Sequence, residues 1–380
     1  MRTSQRSSNL TALITAAAIF AAFPVAASAA PSASDPGIWK LKAATTISFT
    51  YWQGISSITG SADPSLLFTG PSEGAYRTSS KLTQVAGNSS EIPATVKEAE
   101  RYNHIGDGSF DQAEGGRFLL PLECYYPGAG GNTCKTGSIG VADPKSLNWR
   151  YYVKLDPSAI AKAMWVEVSP DGKYAWTSSG DDLLAFRTSD IKATNAAPSG
   201  AAIKPARTLK GALKGLGGVT GAVFWRGKLL VAGELSGRFQ INSINPANGT
   251  VTLEAEHLLS GESEGLDIVP AGGGLLQWQI MPVTDTPPAS YFQPTMMSFV
   301  PVKPPALKLS ARADGRKAIV VTVTAGAGQP IPHAAVQLGS ARGWSGRDGT
   351  VRLKAAMPKK RSKLTAKLAG TRGASLTLPR

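Results

Sequence analysis

The chain has 380 residues, a formal net charge of +14, 42% hydrophobic residues and two cysteines. That length exceeds what one core organises and predicts two domains. Beyond the first thirty residues no apolar stretch reaches eighteen, which excludes a spanning helix there, and no further ligands stand at zinc-like spacing from the cysteines, which excludes a local zinc motif.

The N-terminus reads as an export signal. Arg2 and Arg6 give a positive start, Leu10 to Phe23 is an apolar run of about fourteen residues, and Ala27-Ser28-Ala29 supplies small residues for cleavage. Cleavage is placed after Ala29, so residues 1–29 are the signal and 30–44 a linker. The two arginines are not adjacent, so a twin-arginine signal is not indicated. The expected address is secreted, with association to the cell envelope.

Residues 45–300 show little helical periodicity. Short apolar or alternating runs are closed by Gly, Pro, Asn or Asp turns. GISSITGSADPSLLFTG, GDGSFDQAEGGRFLLPLE, MWVEVSPDGKYAWTSS, GAVFWRGKLLVAGE and GLDIVPAGGGLLQWQI share one plan: a short strand, a polar or glycine turn, then a more hydrophobic strand. The period of about 30 to 55 residues, with up to four strands per unit, is that of β-propeller blades. Five units are clear, and a sixth follows if residues 195–213 hold a degenerate blade. TTISFTYW, residues 45–52, is placed to close the ring. Trp165, Trp176, Trp225 and Trp278 fall within the repeated strands and read as filling between blades, with a carbohydrate-stacking face as the alternative.

VSPDGKYAWTSSGDDLLAFRTSDI resembles a blade of secreted bacterial propellers. HIGDGSFDQAEGGRFLLPLE and SEGLDIVPAGGGLLQW resemble blade openings of the lactonase-like and phytase-esterase-like groups. The resemblance implies an architecture rather than one activity, because that scaffold hosts enzymes and binders alike.

Cys124 and Cys134 flank the loop YYPGAGGNT, and in an oxidising compartment they are expected to form a disulfide. The preceding stretch, Asn103 to Glu123, concentrates His, Asp and Glu around glycines. Counted from Asp107, an EF-hand would need Gly sixth and Glu twelfth, but Gln112 and Phe118 stand there. It reads as a hairpin instead: IGDGSF innermost, DQAEGG the turn, RFLLPLE the second strand. Aligning the blade openings brings Gln53, His104 with Asp107, Glu167, Thr220 and Glu264 to the channel mouth. Gln53, His104, Asp107, Glu167 and Glu264 are therefore the candidate ligand or metal site, with calcium the cation such oxygens suit and His104 an alternative catalytic base. GPSEG, residues 70–74, matches the nucleophile-elbow pattern but joins two strands and reads as a turn. His257 falls on an outer strand and His333 in the tail. No Walker, Rossmann or HExxH motif is present.

Residues 301–306 carry Pro301, Pro304 and Pro305 and read as a stiff linker. Residues 307–380 show alternating strands about ten residues apart, an all-β sandwich. GQPIPHAAVQLGSARGWSGRDGTVRLKA resembles bacterial immunoglobulin-like and carboxypeptidase-regulatory-like modules, with Asp348-Gly349 as the turn before a strand. The charge lies here: residues 303–380 hold 16 Lys and Arg against two acidic residues, whereas residues 1–302 balance at 24 each. Lys359, Lys360, Arg361, Lys363 and Lys367 are the candidate polyanion-binding residues, set against a merely solvated face. Without an aromatic stacking platform, nucleic acid is not the expected partner. Anionic envelope polymers or a surface protein are.

The expectation is thus an all-β chain, a five- or six-bladed β-propeller followed by a small immunoglobulin-like β-sandwich. It acts as a non-enzymatic, envelope-associated binding protein. The alternative is a metal-assisted hydrolase of lactones, phosphoesters or glycosides.

Overall fold

The computed structural model describes residues 39–60, 65–126, 131–258, 261–284, 291–292, 294–326 and 328–378. The expected export signal lies outside them. The regular structure of the described residues is almost entirely antiparallel strands joined by turns, and these residues belong to one compact unit. No helix among them is long and apolar enough to cross a membrane.

Successive meanders build the body. The first sheet runs Gly54–Ser57, Leu66–Thr69, Ala75–Thr78, Gln84–Asn88. In the second, Arg117–Glu123, Ser138–Ala142 and Trp149–Lys154 follow an inner edge made by His104–Ile105 and Ser109–Asp111. The third runs Glu167–Val168, Tyr174–Ser179, Asp182–Arg187, Arg207–Leu209; the fourth Gly218–Trp225, Lys228–Leu235, Arg238–Ile244, Val251–Leu258. In the fifth, Gly261–Ala271, Gly274–Thr284 and Thr295–Pro301 are completed by Trp39–Thr46 from the start of the described chain. Residues 195–213, which would have had to hold a degenerate blade for a sixth unit, supply the third sheet's outer strand, Arg207–Leu209.

A sheet buried on both faces needs apolar side chains on both, and the strands have them: Leu66–Thr69 and Arg117–Glu123 are buried throughout. Each sheet shares an apolar cluster with the next. Leu67 meets Phe118 and Leu120. Leu119 and Val141 meet Val168 and Phe186. Trp176 and Leu183 meet Phe224 and Val231. Phe239 meets Trp278 and Phe299, and Val269 and Met296 meet Ile55 and Phe68 of the first sheet. The sheets therefore close into a ring with their first strands innermost.

The closing strand differs from expectation. It is Trp39–Thr46, of which residues 39–44 fall in the expected linker and only Thr45 and Thr46 in the expected closing stretch, while Phe49–Tyr51 is a 3-10 turn. The strand's half-exposed alternation hid it in the sequence. Its anchor is Trp39, fully buried against Trp225 with ring centroids 5.7 Å apart.

Beyond Pro301, Leu307–Ala313, Ile319–Ala325, Gln329–Pro330 and Thr350–Leu353 form one sheet; Ala335–Leu338, Ala341–Trp344, Ser362–Lys367 and Ala374–Leu378 form another. Ile319, Val321, Val336 and Leu364 share a continuous apolar cluster with Trp39, Trp278 and Phe299 of the ring. The segment expected to be a stiff linker is thus partly absorbed: Pro301 pairs with Trp39, and Ala306 bridges to Arg372.

Candidate functional site

The inner strands run side by side along a central axis, and their glycines set how close they come. A Cβ on Gly106 would lie 1.8 Å from the Met164 carbonyl oxygen, and one on Gly265 would lie 2.6 Å from the Gly54 Cα. Only hydrogen fits at these positions, so the ring narrows to a waist there.

Asp107 fills the waist. Its Oδ1 accepts from the Ile55 amide at 2.9 Å, and its Oδ2 from the amides of Ala222 at 3.2 Å and Leu266 at 3.3 Å. Its own backbone bonds Met164 and Val166 of the third sheet's approach. One side chain from the second sheet thus ties the first, fourth and fifth together. Burial pushes its pKa well above the ordinary carboxylate range, against the opposing pull of the three amides.

On one side of the waist, at the starts of the inner strands, lies a cavity of about 540 Å³. Gln53, His104 and Glu264 line it, with Trp52, Glu123, Tyr125, Lys162, Thr220, Glu234 and Glu262. Gln53 Nε2 donates to Glu264 Oε2 at 3.4 Å, and His104 Nδ1 stands 3.5 Å from Glu123 Oε1. Burial, and then the Glu262 charge, push the Glu264 pKa well above the ordinary range. Glu123, Glu234 and Glu262 were not singled out in the sequence. Glu123 and Glu234 come from second strands, and Glu262 stands two residues before Glu264 on the fifth sheet's inner strand; the three-dimensional arrangement brings them together at the mouth.

Glu167 lies elsewhere. Asp107 bridges to Trp165, which places Glu167 two residues further along the axis, level with Ser109. The sequence alignment of blade openings is therefore offset by two residues in the third sheet. Glu167 accepts from Ser109 Oγ at 2.6 Å and from the Phe224 amide at 3.1 Å, and it pairs with Arg347 of the tail. The predicted set is thus divided: Gln53, His104 and Glu264 meet in the cavity, Asp107 occupies the waist, and Glu167 lies beyond it. Among the described residues no group of three His, Cys, Asp or Glu is arranged to hold a metal ion.

The far end of the axis is closed by the tail. Arg347 also donates to the Val168 carbonyl at 3.1 Å and to Ser56 Oγ at 3.4 Å. Burial draws its pKa down, but Glu167 and Asp267 outweigh burial and hold it above its ordinary value. Burial raises Asp267 to about 7 despite Arg347. His333 packs beside it, Nε2 at 2.8 Å from Ser57 Oγ, its pKa lowered to about 3 by burial and then by the Arg347 charge.

The remaining expected features fall as follows. Cys124 and Cys134 are disulfide-bonded. GPSEG is a turn between two strands of the first sheet, and His257 lies on the fourth sheet's outer strand. Trp165, Trp176, Trp225 and Trp278 are all buried between sheets. Lys359, Lys360, Arg361, Lys363 and Lys367 are exposed.

No protein-family model matches the sequence, and no curated protein matches it. Among solved structures, the chain is similar to glutaminyl cyclase from Myxococcus xanthus, at 8% identity and a TM-score of 0.41, over 69% of this chain and 95% of that one. It is similar to a luciferin-regenerating enzyme at 14% identity and a TM-score of 0.40, over 64% and 77%. It is also similar to the PQQ-bound aldose sugar dehydrogenase of Streptomyces coelicolor, at 11% identity and a TM-score of 0.35, over 71% and 100%. Likeness at this level says nothing of activity. The architecture rests on the strand pairing and the closed series of inter-sheet clusters described above.

Proposed function

We propose that the chain is a five-bladed β-propeller closed by its N-terminal strand and carrying an immunoglobulin-like sandwich, and that it is an exported, non-enzymatic binding protein of the cell envelope. The mouth cavity takes a small ligand. The basic sandwich holds the protein to anionic envelope polymers. The observation that carries this reading is the cavity itself, large enough for a small molecule, lined by polar and aromatic side chains, and bounded on the waist side by Gly106 and Met164. The tail supports it from the opposite end: Arg347 and His333 fix the sandwich at the far end of the axis, which leaves the mouth free.

The hydrolase reading needs Asp107, Glu167 and Glu264 around one cation, and they are distributed along the axis instead. The pairing of His104 with Glu123 keeps acid–base chemistry as a second reading.

The test is a thermal-shift screen of small metabolites against the full chain and against Gly218→Trp. Gly218 lines the cavity, and a Cβ added there would meet nothing within 4 Å, so the strand tolerates a side chain there and an indole is a bulky obstruction placed at the mouth. Compounds that bind the folded state raise the melting temperature. Hits on the wild type are expected, and they are expected to vanish in Gly218→Trp. Hits that persist in the variant, or an absence of hits, would overturn the proposal.

A further inference from the structure

We propose that the mouth cavity recognises a primary ammonium group, carried by an amino sugar or by the free end of a peptide. This rests on the cavity being the ligand site. Four carboxyl groups line it, Glu123, Glu234, Glu262 and Glu264, against Lys162 as the cation among the lining residues. Its hydrogen-bonding capacity is also lopsided. Gln53 is 6% exposed and its Oε1 has no partner. His104 Nδ1 makes no hydrogen bond, and its polar neighbour is the Glu123 carboxylate, 3.5 Å away. The one bond Glu264 makes to Gln53 is long at 3.4 Å. Glu264 is buried among like charges, and Glu262, Glu123 and Asp107 all push its proton affinity up.

Such a site is short of positive charge and of a donor for the buried Gln53 Oε1. An ammonium group brings both, with three donors on a compact charge. A bare divalent ion would need a tight cluster of ligands, which the described residues do not form. The charge must therefore arrive on a larger body. Trp52 and Tyr125 give that body flat walls, and an aromatic face attracts a cation. The indole Nε1 of Trp52 is also unpartnered, a donor for a hydroxyl or carbonyl of the same ligand.

Calorimetric titration of the full chain tests this with glucosamine and alanyl-alanine amide, each beside its N-acetylated form. One amine is expected to bind, its acetylated form at least about 100-fold more weakly, because acetylation leaves buried acceptors unpaired. The preferred amine names the source. Glu264→Gln is expected to weaken it at least about tenfold, and Gly218→Trp to abolish it. Equal binding of amine and acetylated forms, lost in Gly218→Trp, would overturn the ammonium inference and leave the cavity reading standing. Failure of both amines at millimolar concentration would also overturn the inference. Amine binding that survives Gly218→Trp would overturn the cavity reading.

A separate observation carries a second inference. At the far end, a cavity of about 20 Å³ is lined by Ser57, Asp267, His333 and Arg347. Asp267 Oδ2, His333 Nδ1 and Arg347 Nε are each buried without a partner. We infer that one water molecule joins them and so locks the sandwich to the ring. The volume suits a single water with three polar neighbours. The protons are consistent. The Ser57 hydroxyl bonds the Asp267 carboxyl, so its oxygen accepts from His333 Nε2–H and leaves Nδ1 an acceptor. The water then accepts from Arg347 Nε–H and donates to Asp267 and His333. A high-resolution crystal structure of the full chain should show a water within hydrogen-bond distance of all three atoms. Direct bonds among the three, or a cavity without density, would overturn it.

Discussion

At the residue scale Arg347 ties the tail to the ring, and nothing in the sequence marked it for that role. It sits in the GRDG turn of the tail, where the composition reads only as one more basic residue. In the fold it is the counter-charge for Glu167 and Asp267 at the end of the axis. Removing one partner of a buried pair strands the other, at about 3–5 kcal/mol. Arg347→Ala is therefore expected to lower stability by about that much in urea unfolding. A loss under about 1 kcal/mol would show that the pairs are hydrated and weak. His333 gives a pH test. Its folded pKa of about 3 lies below the ordinary value of 6.5, so between those limits the unfolded chain binds a proton that the folded chain does not. Its contribution to stability is present above about pH 6.5 and is lost as the pH falls towards 3. Asp267, raised to about 7, acts in the opposite sense between about pH 4 and 7. His333→Gln should flatten the acid limb of the stability–pH curve, and Asp267→Asn should steepen it.

At the scale of elements, strand pairing was legible where the sequence alternates around a glycine turn. RFLLPLE and GLLQWQI announce second strands because strands buried on both faces are predominantly apolar. The closing strand was displaced because WKLKAATT is half-exposed and carries lysines, whereas the next stretch, TTISFTYW, is more apolar. Glu167 was set at the wrong level because spacing in sequence does not fix how far an inner strand is shifted along its neighbour. Trp39→Ala is expected to cost about 3–5 kcal/mol by opening a cavity where the ring closes. Gly265→Ala is expected to cost at least about 1–3 kcal/mol, because the added methyl meets the Gly54 backbone. A neutral Gly265→Ala in thermal unfolding would mean that the waist is looser than described.

For the whole molecule, two properties decide behaviour. One is continuity: the apolar cluster from Trp39 to Leu378 makes ring and sandwich one body. Removal of residues 303–380 should therefore give a poorly folded ring rather than an unattached one, and attachment is better tested by charge. The other is polarity. The basic surface lies in the sandwich, beside an open groove lined by Lys354 and Lys363, and the acidic cavity lies at the mouth. Reversing Lys359, Lys360, Arg361 and Lys363 to Glu should abolish retention on a poly-glutamate column, while the wild type elutes at moderate salt. Equal elution of both would remove the polyanion role. Charge asymmetry was plain in the sequence. The acidity of the mouth was not, because Glu123, Glu234 and Glu262 belong to different strands and no local pattern links them.

The proposed role of the molecule turns on the mouth cavity as the place where it meets its ligand. A crystal structure of the full chain soaked with the tightest compound from the screen would decide this. Density is expected in the mouth, against Trp52, Gln53 and Glu264, with the waist and the Arg347 pairing unchanged. Density confined to the groove beside Lys354 and Lys363, with an empty mouth, would contradict it.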